Sequence, residues 1–162
     1  MRGGSNWAVA LGAAAAVPAF RFAAAAGTVL TARPAEMLND GGGLKSRGND
    51  GPEGSVYRAN LRAGHENGRL LSYTFAGRGE EDYLPRFTFF GYRYVSLTAT
   101  APVTVRRVVS VPVTSVAKGM ELGSLETGDV DVNRLVSNIR WGMLSNYLSV
   151  PTDCPQRNER LG

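Results

Sequence analysis

The chain has one cysteine and one histidine in 162 residues. A single Cys excludes an internal disulfide framework and any Cys-rich zinc site. A single His, His65, leaves Ser–His–Asp chemistry and His-built metal centres with little material. Lysine is scarce: only Lys45 and Lys118 stand among the 18 Lys and Arg residues. Against 14 Asp and Glu the net charge is only +4, and apart from Arg106–Arg107 and the Arg157/Arg160 pair the arginines are scattered. No basic stripe with interleaved aromatics is present, so no nucleic-acid partner is expected. No run of about 20 uncharged apolar residues is present either, so no membrane partner is expected. The side chains left to carry chemistry are carboxylates and guanidiniums.

A hydrophobic fraction of 43% is enough to build a core, which argues against wholesale disorder. The length suits one domain, at roughly 100–200 residues per domain. Arg2 followed by the alanine-rich run Trp7–Val17 has the outline of a leader peptide. The same run also reads as a low-complexity or divergent strand. Pro18 and Arg21 interrupt it, and Phe20-Arg21-Phe22, a turn at Gly27 and Thr28–Thr31 read as two short strands, which a cleaved leader would not need. Cytoplasmic placement is therefore slightly favoured over secretion. One cysteine fits either compartment.

The Gly/Asp/Asn-rich stretch 39–54 reads as a long surface loop. Leu71, Tyr73 and Phe75 alternate, and Arg86–Thr98 is dense in aromatic and β-branched residues, which favours strand. The apolar phase slips at Gly91, which predicts a bulge or a close backbone approach there. Val103, Val105, Val109, Val111 and Val113 alternate, with Pro112 marking an edge strand or a break. Short strands separated by turns predict an antiparallel β-sandwich. After Gly128 the period changes to that of a helix: Val132, Leu135, Val136, Ile139, Met143 and Tyr147 form one apolar face. Asp129 or Asp131 can cap its N-terminus, and Pro151 ends it. That face must bury against the sheet or against further helices.

The C-terminal run Pro151-Thr152-Asp153-Cys154-Pro155-Gln156-Arg157-Asn158-Glu159-Arg160-Leu161-Gly162 sets two carboxylates near two guanidiniums on a proline-stiffened loop. Such a loop can hold polar groups toward a cleft, and it can equally be laced together by Arg–carboxylate forks. Cys154 reads as a small buried hydrophobe, because His65 is remote in sequence.

The order of residues in this run resembles the signature of the bacterial-type α-L-rhamnosidases. These are inverting glycoside hydrolases with a concanavalin-like β-sandwich and an (α/α)6, six-hairpin barrel. Asn133-Arg134-Leu135, Asn138, Trp141 and Asn146-Tyr147-Leu148 are similar to the family's first barrel helix. Tyr83–Val95, Ala35–Asp40 and Asn60-Leu61-Arg62 are similar to its sandwich motifs. The resemblance covers roughly residues 20–162 and leaves out the alanine-rich start and the 41–54 loop. Beyond an alanine-rich segment over 1–19 that lies outside it, the resemblance implies a partial sandwich over 20–117, and over 118–162 a linker, the first barrel helix and the acid loop.

The resemblance implies Glu159 as the general acid, Asp153 as a carboxylate that binds rhamnose hydroxyls, and Arg157 in the same subsite. It implies no cofactor, and rhamnose-containing glycosides or polysaccharides as substrates; no Asp/Glu cluster in the sequence points to a metal. The family pattern continues with a Trp and a further Asp, and its general base stands on a later barrel loop. The expectation is therefore a fragment of the enzyme that is inactive alone. The alternative is a stand-alone carbohydrate-binding or interaction sandwich, with Phe90, Tyr92 and Tyr94 as candidate contacts.

Overall fold

The computed structural model describes residues 7–40, 50–58, 70–121, 123–152 and 154. Its main sheet has six strands: β1 (Trp7–Ala24), β2 (Val29–Ala35), β5 (Leu71–Thr74), β6 (Glu80–Tyr83), β7 (Phe90–Ala99) and β8 (Val103–Pro112). The strands pair in the order β5-β2-β7-β1-β6, every pairing is antiparallel, and β8 pairs with β1 alone. Two short strands, β3 (Met37–Leu38) and β4 (Val56–Tyr57), form a separate ribbon. One helix, α1 (Val130–Asn146), follows the sheet. Two more short strands, β9 (Tyr147–Leu148) and β10 (Val150–Pro151), pair with each other after it.

The alanine-rich start does not stand outside the sheet. Trp7–Ala24 is one strand of 18 residues. Its first half pairs with β7, from Trp7↔Leu97 to Ala16↔Phe90, and its second half with β8, from Ala16↔Pro112 to Ala24↔Val103. Continuous pairing, with β7 along the first half, β8 along the second and β6 joining at residues 20–23, supplies the order that alanine's weak strand propensity does not. Ala15, Ala16, Val17 and Pro18 are buried, and small side chains at this crossing let other elements approach closely. Phe20–Phe22 therefore continues the run, and the turn at Gly27 (φ 79°) does not close a hairpin, because β7 lies between β1 and β2.

The core holds Phe20, Phe22, Leu30, Ala32, Leu71, Phe75, Tyr92, Val95 and Leu97. Leu71 and Phe75 are buried while Ser72 and Thr74 face out, as the alternation predicts. Two strand expectations need correction. The strand read over Arg86–Thr98 begins only at Phe90, because Phe87 has a φ of 60° and is fully exposed. The phase slip lies beyond Gly91, which pairs normally with Ala15. Between Ala10 and Ala14, β1 carries extra residues opposite Tyr94–Tyr92. Tyr92 and Val95, three residues apart on β7, both reach the core, which strict alternation along one strand does not give. A second slip stands at Arg106, between the pairs Arg21↔Arg107 and Phe22↔Val105. It brings Val108, with Val103 and Val105, against the core. Pro112 ends β8 at the sheet margin, as a proline does.

The base of the 39–54 loop is cinched. Asn39 is buried; its Nδ2 donates to Asp50 Oδ1 (2.9 Å) and Ser55 Oγ (2.8 Å), and its Oδ1 accepts from the Asp50 amide (2.9 Å). Residues 41–49 lie outside the described residues.

Candidate functional site

Glu159, Asp153 and Arg157, the candidate site residues, lie outside the described residues, as do Arg160 and His65. The platform that leads into them is described, and it is built from both ends of α1. Asp129 caps the helix: its side chain accepts from the amides of Asp131 (2.8 Å) and Val132 (3.3 Å), which relieves orphan N–H groups of the first turn. Asn133 clamps the approach, accepting from the Thr127 amide (2.8 Å) and donating to the Thr127 carbonyl (2.8 Å).

The helix stops at Asn146, before Pro151. Asn146 donates from Nδ2 to the Gly142 carbonyl (2.8 Å), and Tyr147 leaves helical geometry at ψ 78°. The chain then turns at Ser149 (φ 67°) into β10, where Pro151 pairs with Tyr147. Thr152 is tied back to Asn146: its amide donates to the Asn146 carbonyl (2.8 Å) and its Oγ1 bonds Asn146 Oδ1 (3.0 Å). The sheet holds the same corner. The Ser115 amide donates to the Tyr147 carbonyl (2.7 Å), and the Ser149 amide to Ser115 Oγ (2.6 Å). The residue just before Asp153 is thus fixed to the last turn of α1, and that turn is fixed to the exit of β8. Cys154 is half-buried.

A cleft of about 700 Å³ runs between α1 and the segment after β8. Val116, Met120, Leu125, Ile139, Met143 and Tyr147 line it. Arg140 bridges it to Glu121 with a two-pronged fork at 2.9 Å on each prong. Both partners are about half exposed, so the fork orients the segment more than it stabilises it. The lining is apolar and suits the packing of further helices rather than proton transfer. Nothing on α1 is buried; Leu135 is 57% exposed and Ile139 53%. We predict weak hydrogen-exchange protection over 132–147 and concentration-dependent association, which Leu135→Glu/Ile139→Glu suppresses in sedimentation. Strong protection of this helix in a monomer contradicts the prediction.

Among the described residues, no group of three His, Cys, Asp or Glu is placed to hold a metal, and no helix is long and apolar enough to cross a membrane. The aromatics named as candidate contacts of a stand-alone sandwich do not form an exposed platform. Tyr92 is buried with its hydroxyl 2.9 Å from Ser110 Oγ, and Phe90 packs on the core. Tyr94 is half-buried, with Arg93 over its ring at 5.7 Å. The sequence reading missed three contacts: the Arg140–Glu121 fork, the Asn133 clamp and the burial of Glu81. The first joins residues 19 apart, and no local pattern marks it. The Asn133 clamp had a partial signal in the Thr-Gly-Asp run ahead of the helix.

A curled antiparallel β-domain that passes through a short tether into one amphipathic helix, with its apolar face open, places the described residues in the class of mainly-β proteins that carry a C-terminal helix. Comparison with known proteins gives that class its family. Residues 6–115 match the bacterial α-L-rhamnosidase concanavalin-like domain, and residues 120–162 match the bacterial α-L-rhamnosidase six-hairpin glycosidase domain. The chain belongs to the bacterial α-L-rhamnosidase family of glycoside hydrolases.

Among its relatives is an α-L-rhamnosidase of Streptomyces avermitilis, 42% identical over 144 residues, an alignment covering 85% of this chain and 12% of the relative. Another, from Formosa agariphila, is 34% identical over 147 residues, covering 90% of this chain and 14% of the relative. The crystal structure of the S. avermitilis α-L-rhamnosidase complexed with L-rhamnose superposes with a TM-score of 0.66 at 37% identity, covering 99% of this chain and 15% of that one. The α-L-rhamnosidase structure from Dictyoglumus thermophilum gives a TM-score of 0.69 at 26% identity, covering 97% of this chain and 16% of that one. The chain thus spans about one-seventh of the length of these proteins.

Proposed function

We propose that these residues form the sandwich and the acid-bearing loop of an enzyme that hydrolyses terminal non-reducing α-L-rhamnosyl residues with inversion. The observation that carries this reading is the match of residues 120–162 to the six-hairpin glycosidase domain, on a platform whose last described turn is held by Asn146, Thr152 and Ser115. Glu159 is the general acid that protonates the leaving glycosidic oxygen. Asp153 and Arg157 bind the rhamnose hydroxyls.

The physics of the loop is compatible with these roles. A general acid must stay protonated near neutral pH, which burial or a nearby carboxylate such as Asp153 favours. Arg157 and Arg160 would oppose it if both faced Glu159, so this role requires at least one of them to be turned away. An inverting enzyme needs a second carboxylate about 6.5–9.5 Å from the acid to activate water. In this family that base belongs to a later barrel loop, and residues 130–146 provide one helix of the barrel wall.

The 162-residue chain alone is therefore expected to show no turnover of an aryl α-L-rhamnoside above its Glu159→Gln control. Turnover clearly above that control contradicts the assignment of the base to another part of the enzyme.

A further inference from the structure

β5 and β6 are consecutive in the chain and joined by a short connection, which ordinarily makes a hairpin. Here they stand at opposite ends of the sheet path, β5 on β2 and β6 on β1. The sheet curls until these two ends meet, and among the described residues side chains bridge the seam. Glu81 of β6 is buried. One carboxylate oxygen accepts from the amides of Gly77 (2.9 Å) and Arg78 (3.2 Å), the other from the Ala76 amide (3.1 Å) and the Tyr73 hydroxyl of β5 (2.8 Å). The Tyr73 and Tyr83 rings meet across the seam at 4.8 Å, and Phe22 lies 5.0 Å from Tyr73. Gly77, at φ 76°, lies so near the β1–β2 turn that a Cβ there would stand 2.9 Å from the Ala26 nitrogen.

We propose that Glu81 is an acid-labile clasp that closes the curled sheet by holding the β5–β6 connection against its two edge strands. A carboxylate supplies the acceptor positions these four donors need; its protonated form turns one oxygen into a donor that faces other donors. The bonds to the Ala76 amide, the Tyr73 hydroxyl and the neighbouring amides hold Glu81 below its ordinary range, against the opposing effect of burial. The other charged groups here are already engaged. Asp82 pairs with Arg21 of β1, and Glu80 with Arg106 of β8. Arg78 contributes its backbone amide to the clasp and lies close enough to act on Tyr73. Because the folded value is depressed, the clasp's contribution is full above the ordinary glutamate value and is lost as pH falls through the folded one.

The test is native-state hydrogen exchange on the full chain, with protection taken relative to intrinsic rates. At neutral pH, Glu81→Gln is expected to lower protection of Ala76–Arg78 and of residues 71–83 by about tenfold or more, with the β1–β7 and β2–β7 ladders unchanged. Tyr73→Phe, which keeps the amide bonds, is expected to give a smaller loss in the same segment. The unsubstituted chain is expected to show the same local loss as pH drops below the carboxylate range, and Glu81→Gln to have lost that pH dependence. The proposal is overturned by unchanged protection in both variants, by loss spread evenly across β1 and β7, or by a pH dependence that survives in Glu81→Gln. If Glu81→Gln does not fold, the confined loss in Tyr73→Phe and the wild-type pH profile decide it on the same terms.

Discussion

Phe22→Ala is expected to cost about 3–5 kcal/mol of stability, a large share of the roughly 5–15 kcal/mol that holds a typical domain folded. The side chain is completely buried, with ring contacts to Phe75 (4.6 Å), Tyr73 (5.0 Å) and Phe20 (5.9 Å). Those three rings sit on β5, its extension and β1, so the cavity would open where the sheet's ends converge. Aromatic neighbours cannot collapse into it without leaving their own rotamers. Thermal unfolding should report a midpoint lowered by about 6–20 °C, or no cooperative transition at all. Phe87→Ala is the matched control. Its ring is fully exposed and its φ is 60°, so its removal should change stability by no more than about 0.5 kcal/mol. Equal losses in the two variants contradict the packing described for the core.

The two phenylalanines also show what the sequence made legible. Phe22, Leu71 and Phe75 sit in alternating apolar patterns, and pattern alone marks them as core. Phe87 sits in an equally aromatic run, yet strand pairing starts only at Phe90, where β1 offers Ala16 as a partner. That limit is set by a strand some seventy residues earlier and leaves no local trace. A divergent strand was among the readings of the alanine-rich run, but its length and its union with Phe20–Phe22 in one strand, Trp7–Ala24, left no local mark, since alanine carries neither branching nor periodicity and its neighbours dictate its state. Asp129 was readable as a cap because capping is local. The end of α1 was misplaced because Asn146 and the Ser149 turn stop it ahead of the proline. Glu81 sits in a charged Glu-Glu-Asp run that looks solvated, and only the curl of the sheet buries its middle member. The roles proposed for the carboxylates of the terminal loop rest on the order of residues around them, which spacing alone could not separate from a loop held by ion pairs.

In an assembled enzyme, where the rest of the barrel supplies the general base, Glu159→Gln should have the largest effect on catalysis. A positioned general acid contributes about 10²–10⁴-fold to rate, and glutamine keeps the shape but holds no transferable proton. The loss should depend on the leaving group. An alkyl rhamnoside, which expels a strongly basic alkoxide, should lose most of that factor. A nitrophenyl rhamnoside, whose leaving group needs little protonation, should lose much less. Asp153→Asn should instead raise KM for both substrates, as expected of a group that holds the sugar in ground and transition states alike. An equal loss on both leaving groups would remove Glu159 from the role of acid and leave it a binding residue.

The most direct test of these roles transplants residues 6–162 into the S. avermitilis relative in place of its own matching segment, so that the general base and the rest of the barrel come from that enzyme. Rhamnose release from an alkyl α-L-rhamnoside is then followed by proton NMR. The expected result is release of the inverted β-anomer first, reduced about 10²–10⁴-fold by Glu159→Gln. A folded chimera that releases no rhamnose, or one whose rate is indifferent to Glu159→Gln, contradicts the assignment of this chain as the acid-bearing part of an α-L-rhamnosidase.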